Sequence, residues 1–167
     1  MLAIFRQKSR NQKDGGLIQF RIDLHKAASK QYAKKVLRFF KVEKGDYGYG
    51  DIFIGVRMPA IRALAKKHIG ITKKELNSLI QSKVHEERML GLIILVNKYI
   101  KAKDEKEREQ HYKHYVSKFK YINSWDLVDV TCAQIIGRHL MDKDRKVLYL
   151  SLIHISEPTR RPPLPYA

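Results

Sequence analysis

Along most of this chain apolar residues recur at the three-to-four spacing of an amphipathic helix, and alternation with a period of two is nearly absent. A polar, basic leader ends in Gly15-Gly16, and the helical period begins at Leu17. Phe20, Leu24, Ala27, Ala28, Ala33, Val36, Leu37 and Phe40 predict one helix running to about Lys41. A glycine-rich loop follows from Gly45 to Gly55. Pro59 suits the first turn of a second helix, which Ile61, Leu64 and Ala65 carry to about His68 and Gly70 ends. Thr72 with Glu75 reads as a capping box opening a short helix over Leu76, Leu79 and Ile80. Glu86 to Lys101 predicts a buried helix, apolar at Met89, Leu90, Leu92, Ile93, Leu95 and Val96. Asp104 caps a heavily charged helix to about Phe119; Asn123 or Ser124 caps another from Trp125 to about Leu140; a last one begins near Lys143. Only Asp51 to Val56 passes for a strand, and Gly55 argues against it. The sum is an all-α chain of short antiparallel helix pairs with brief loops. Such a chain reads as an α-solenoid; pattern alone leaves a compact helical bundle open.

Composition bounds this picture at both ends. A chain of 167 residues fits one domain with a real core. Four of the five prolines, Pro158, Pro162, Pro163 and Pro165, fall in the last ten residues. The run Leu150 to Arg160 resembles the translation of a transposon-type sequencing adapter. We therefore expect a loose leader over 1–16, a helical domain over 17–149, and a non-native or disordered tail over 150–167, with the natural coding sequence stopping near Tyr149. Lys and Arg number 34 against 17 Asp and Glu, a formal net charge of +17 and a pI near 10.0. The tail contributes a net +1, so a body of +16 remains, and a body so basic is drawn to polyanions by counterion release. Cys132 is the only cysteine, which excludes an intrachain disulfide and points to a reducing compartment. No apolar run reaches the roughly 18 residues that a membrane span needs. These readings predict a cytoplasmic protein with no membrane partner.

The most informative segment is Ile122-Asn123-Ser124-Trp125-Asp126-Leu127-Val128-Asp129. Trp125 is the only tryptophan, and Asp129 lies four residues on, so the two share one helix face in the first turns. A carboxylate facing phosphates would be repelled and so needs a reason. One reason is stabilisation of a positively charged sugar as an N-glycosidic bond breaks. The plain alternative is that Asp126 and Asp129 complement the helix dipole and Trp125 is core. Other constellations carry less. Gly45, Gly48 and Gly50 lack the following G-K-[ST] of a phosphate loop and read as a turn. His85-Glu86 lacks the second histidine of a zinc-protease helix. His111 and His114 share a helix face without further ligands and read as solvated. Cys132 has no evident activating base and reads as packed inside the Trp125 helix. We expect no metal and no cofactor.

The same segment resembles the DNA alkylation repair family of AlkD-like glycosylases. Three further stretches agree: Arg38-Phe39-Phe40-Lys41 through Gly45-Asp46-Tyr47-Gly48-Tyr49-Gly50-Asp51, then Phe53-Ile54-Gly55-Val56-Arg57-Met58-Pro59-Ala60-Ile61-Arg62, then Val84-His85-Glu86-Glu87-Arg88. The resemblance extends over roughly Ala27 to Tyr149. The resemblance implies HEAT-like antiparallel helix pairs forming a concave basic surface. It also implies a DNA glycosylase that hydrolyses the N-glycosidic bond of N3- or N7-alkylated purines, with duplex DNA as partner and the protein a monomer. It implies that Asp129 is catalytic and that Trp125 contacts the lesion's sugar and backbone. It further implies that the deep flipped-base pocket of other glycosylases is not needed. Family members continue beyond this point, with a further arginine and a second tryptophan, so the chain reads as C-terminally truncated and weakly active by itself. The alternatives are a non-catalytic HEAT-like scaffold for branched or damaged DNA and a helical RNA-binding module.

Overall fold

The computed structural model describes residues 19–141 and Lys143. The expected leader and the whole of the expected tail lie outside them, as does the course of the helix expected from near Lys143. Within them the chain is all-α, with no strand among the described residues. Helix α1 spans 19–26 and buries Phe20 and Leu24, one turn apart. Helix α2 is Lys30–Leu37. The single helix expected over this region is thus two. Ser29 breaks it: its hydroxyl accepts from Tyr32 N at 3.3 Å, and its own N–H donates to the carbonyls of Ile54 and Gly55 at 3.1 Å each. Serine competes with the helix for its backbone groups, and here a distant loop makes the competition succeed.

The later elements follow their local signals. Helix α3, Met58–Lys67, has Pro59 in its first turn. Helix α4, Lys73–Ile80, opens with the full capping box, Thr72 Oγ1 accepting from Glu75 N and Glu75 Oε2 accepting from Thr72 N at 2.7 Å. Helix α5, His85–Ile100, is the centre of the molecule and packs against α3, α4 and its successors. Gly91 lets α4 come close: a Cβ there would lie 2.9 Å from Ile80 Cγ1. Helix α6, Glu105–Val116, is capped by Asp104, whose Oδ1 accepts from Glu107 N at 2.7 Å. A 3-10 turn, Phe119–Tyr121, leads to α7, Trp125–Cys132. Helix α7 then widens into a π-helical turn over Ala133–Gly137. Thr131 Oγ1 donates to Leu127 O at 2.6 Å and meets the Tyr115 hydroxyl at 2.7 Å, tying α7 to α6.

The loop between α2 and α3 is no strand. It makes one parallel bridge, Ile52 with Val84, and is otherwise held by the Ser29 N–H and by side chains. Glu86, buried in the first turn of α5, accepts from Ile54 N at 3.1 Å and Gly55 N at 2.7 Å. Gly55 has φ +78°, and a Cβ there would stand 2.2 Å from Ser29 O, so only glycine fits this crossing of α2.

The three helices α3, α5 and α7 share an orientation. Their first turns line one cavity, at Met58, His85 and Trp125. Their later turns line one groove, at Lys66, Asn97 and Val130. With α4 and α6 returning between them, the result is an α-solenoid of antiparallel pairs.

Candidate nucleic-acid interface

The start of α7 carries the two residues singled out in the sequence, and the packing separates them from the core. Trp125 is 51% exposed. One face of its indole stacks on Phe40 with ring centres 5.6 Å apart at 18°. The reading of Trp125 as core is therefore overturned: Leu127 and Thr131 take the buried face of α7 instead. Val128 and Asp129 are exposed beside it. Among the described residues no hydrogen bond or ion pair engages the Asp129 carboxylate, so it stands free one turn from the indole.

Asp126, between them, turns inward. Its Oδ2 faces His85 Nε2 at 2.8 Å, and its Oδ1 accepts from Ser124 Oγ at 2.6 Å and from Leu127 N at 2.8 Å. Burial raises its pKa, but the hydrogen bonds from His85, Ser124 and Leu127 outweigh that and hold the carboxyl below the usual carboxylate range. His85 is sandwiched against Phe53, ring centres 4.5 Å apart at 17°. Its other nitrogen, Nδ1, lies 3.5 Å from the Arg88 guanidinium. Arg88 in turn is buried and bonded to Asp51 Oδ2 at 2.5 Å, Ser82 O at 2.9 Å and Asn123 Oδ1 at 3.1 Å. Asn123 donates onward to Tyr47 O at 2.9 Å. One polar network thus fastens the loop, the start of α5 and the start of α7 together.

The sequence reading missed this network. His85 and Asp126 stand 41 residues apart, and nothing in the periodicity pairs them. The legible signal was only that each opens a helix. The network leaves a cavity of about 400 Å³ under Trp125, lined by Phe40, Phe53 and Tyr32 among others. Asp129 does not line it. A separate groove of about 320 Å³ crosses α3, α5 and α7 with Arg62 and Lys66 on one wall. Lys30, Lys34 and Lys35 add exposed cations on α2.

One further reading changes. His111 and His114 are not solvated. Burial, aided by Lys73 and Lys118, pushes the pKa of His114 down to about 4, and its Nε2 lies 2.7 Å from Asn77 Oδ1. Burial also lowers His111. Cys132 is half-buried, and burial pushes its thiol up, away from nucleophilic use.

No helix among the described residues is long and apolar enough to cross a membrane. No curated protein and no solved structure matches the chain. A family model described as DNA alkylation repair enzyme matches residues 20–157, which is most of the sequence and includes every element of the interface from Phe40 to Asp129. The chain belongs to the DNA alkylation repair enzyme family.

Proposed function

We propose that this protein is a DNA glycosylase that releases N3- and N7-alkylated purines from duplex DNA. The observation that carries the reading is the exposed pair on α7: a free carboxylate, Asp129, one helical turn from a half-exposed indole, Trp125, on a chain of net charge +17. Phosphate binding alone has no use for that carboxylate. A breaking glycosidic bond does, because positive charge grows on the sugar as the C1′–N bond lengthens and its electron pair leaves with the purine. Asp129 stabilises that charge. Trp125 packs against the sugar and backbone. Water then adds its oxygen to C1′ and loses a proton. An alkylated purine is already cationic and leaves as a neutral base, so no metal or cofactor is required. The protein acts as a monomer in the cytoplasm, and Arg62, Lys66 and the α2 lysines hold phosphates without reading sequence.

The test is single-turnover release of 7-methylguanine from methylated duplex DNA by the complete protein, wild type and Asp129→Asn, with binding measured in parallel. The expected result is slower release at equal or slightly tighter binding. Equal rates at equal binding would make Asp129 a helix-end residue and favour a non-catalytic scaffold. Affinity should also fall linearly with salt on a log–log plot, and each Lys or Arg removed from the binding face should flatten the slope by about one unit.

A further inference from the structure

The loops that lead into α3, α5 and α7 lie along one edge of the solenoid, because the first turns of those helices line one cavity. Loop 41–52 touches both of the others. Ile52 N donates to Lys83 O at 2.9 Å, and Asn123 Nδ2 donates to Tyr47 O at 2.9 Å. Loops 41–52, 81–84 and 117–124 together carry Lys41, Lys44, Lys83, Lys118 and Lys120. Their acids are Glu43, Asp46 and Asp51, and Asp51 is matched by the buried Arg88. Among the described residues none of these lysines has an ion-pair partner. The edge is therefore a basic rim, and none of its lysines lines the groove of Arg62 and Lys66.

Loop 41–52 is pinned, and one ring on it is bare. Gly48 N donates to Lys41 O at 3.1 Å, and a Cβ on Gly48 would stand 2.7 Å from that oxygen. Asp46 Oδ2 accepts from Glu43 N at 3.1 Å, and Asp51 N donates to Gly48 O at 3.0 Å. Tyr47 folds back, so that its hydroxyl accepts from Lys41 N at 3.3 Å. Tyr49 does not. It stands between Gly48 and Gly50, is 63% exposed, and among the described residues its side chain has neither a hydrogen bond nor a ring partner. The packing of the fold makes no use of that ring. An exposed side chain on a fixed backbone costs little ordering entropy when a ligand covers it.

We propose that this rim is a second contact to duplex DNA, in which Tyr49 covers a deoxyribose and donates its hydroxyl to the adjoining phosphate, while Lys41, Lys44 and Lys83 take neighbouring phosphates. The occupant rests on the DNA-binding half of the reading above; the chemistry at Asp129 plays no part in it. Asn123 sets the register. It holds Tyr47 O, two residues before Tyr49, and itself stands two residues before Trp125. The rim thereby keeps the flanking duplex at a constant offset from the exposed pair on α7. Tyr49 acts on binding and not on bond breaking, so its loss is felt by undamaged and methylated DNA alike.

Salt separates the two kinds of contact. A lysine on a phosphate releases a counterion, whereas a neutral tyrosine releases none. The experiment measures binding of the full chain to a fluorescent, undamaged DNA duplex by anisotropy over a range of salt concentrations. We expect Tyr49→Ala to weaken binding by about tenfold at every salt concentration, the size of one hydrogen bond to a charged group, and to leave the log–log slope unchanged. Lys44→Ala should instead flatten the slope by about one unit. Tyr49 is exposed and buries nothing, so the melting temperature of Tyr49→Ala should match that of the wild type. Wild-type affinity in Tyr49→Ala, an unchanged slope in Lys44→Ala, or no duplex binding by the wild type would overturn the proposal. Base release is read separately, so the two readings fail separately. Tyr49→Ala binding like the wild type, with Asp129→Asn slow in release, removes the rim and keeps the glycosylase. Weakened binding by Tyr49→Ala, with Asp129→Asn as fast as the wild type, keeps the rim and removes the catalytic role of Asp129.

Discussion

Helices α5 and α7 start at the same end of the molecule, both with acids in their early turns, and those acids meet opposite fates. In α5, 13 of 16 residues are buried. Its Glu86 is consumed by the N–H groups of Ile54 and Gly55, and Oε1 of its Glu87 accepts from Arg21 Nε at 3.1 Å. In α7 only Leu127 and Thr131 are buried, Asp126 is tied to His85, and Asp129 is left in solvent. Residue type and position in the helix are nearly the same in the two cases. What differs is what stands opposite. A carboxylate with backbone donors in front of it is structural; one with nothing in front of it is available to a substrate. The polar groups of α5 are therefore expected to carry stability, and Asp129 to carry function.

The largest expected effect falls on the α5 side. Arg88→Met removes the buried partner of Asp51, Ser82 O and Asn123 and leaves Asp51 uncompensated. Breaking such a pair typically costs about 3–5 kcal/mol, which urea denaturation reads directly. A loss under about 1 kcal/mol would erase the contrast. Next comes Asp129→Asn, expected to slow base release by about 10²–10³ while stability moves by no more than about 0.5 kcal/mol. A matching loss of stability would make Asp129 another structural acid. Glu86→Gln comes third: the amide has only one oxygen to offer two donors, and an unsatisfied buried N–H costs about 1–3 kcal/mol. Here melting should change more than DNA affinity.

The smallest effects are pH-dependent and separate α7 from α6. The pKa of Asp126 is lowered in the fold, so its contribution is complete above the unfolded value near 3.8 and is lost as pH falls below it. The pKa of His114 is lowered to about 4, and for a base this means that the unfolded chain takes up the proton first. Its contribution is complete above the ordinary value of 6.5 and is lost between there and about 4. Stability measured from pH 7 to pH 3 should show both windows. His114→Gln should flatten only the upper one and Asp126→Asn only the lower. A single shared window would mean that the α7 start is not held by its own ionised carboxylate.

Much of this was legible in the chain, for reasons that are local. The Thr72–Glu75 capping box and the Asp104 cap are contacts within one turn. Pro59 opens α3 because its ring is preset for a first turn. The four-residue spacing of Trp125 and Asp129 puts them on one face of any helix that contains both. The excess of 34 basic over 17 acidic residues needs no fold to attract a polyanion. Where the reading failed, the deciding partner was distant. Ser29 ends a helix because Ile54 and Gly55 accept from it; the spacing of apolar residues across that point is unchanged. His111 and His114 look solvated on a helix so rich in charge and become half-buried because other elements cover them.

Local rules thus settled helix identity, most helix starts and which residues share a face, because each depends on atoms a few residues apart. They could not say which face is covered. That Trp125 looks outward while His85 and Asp126 close a buried pair beneath it depends on bringing positions 40, 53, 85 and 126 together, and only the packing of α2, the loop and α5 against α7 does that. Burial is a property of the neighbours, and the neighbours come from elsewhere in the chain.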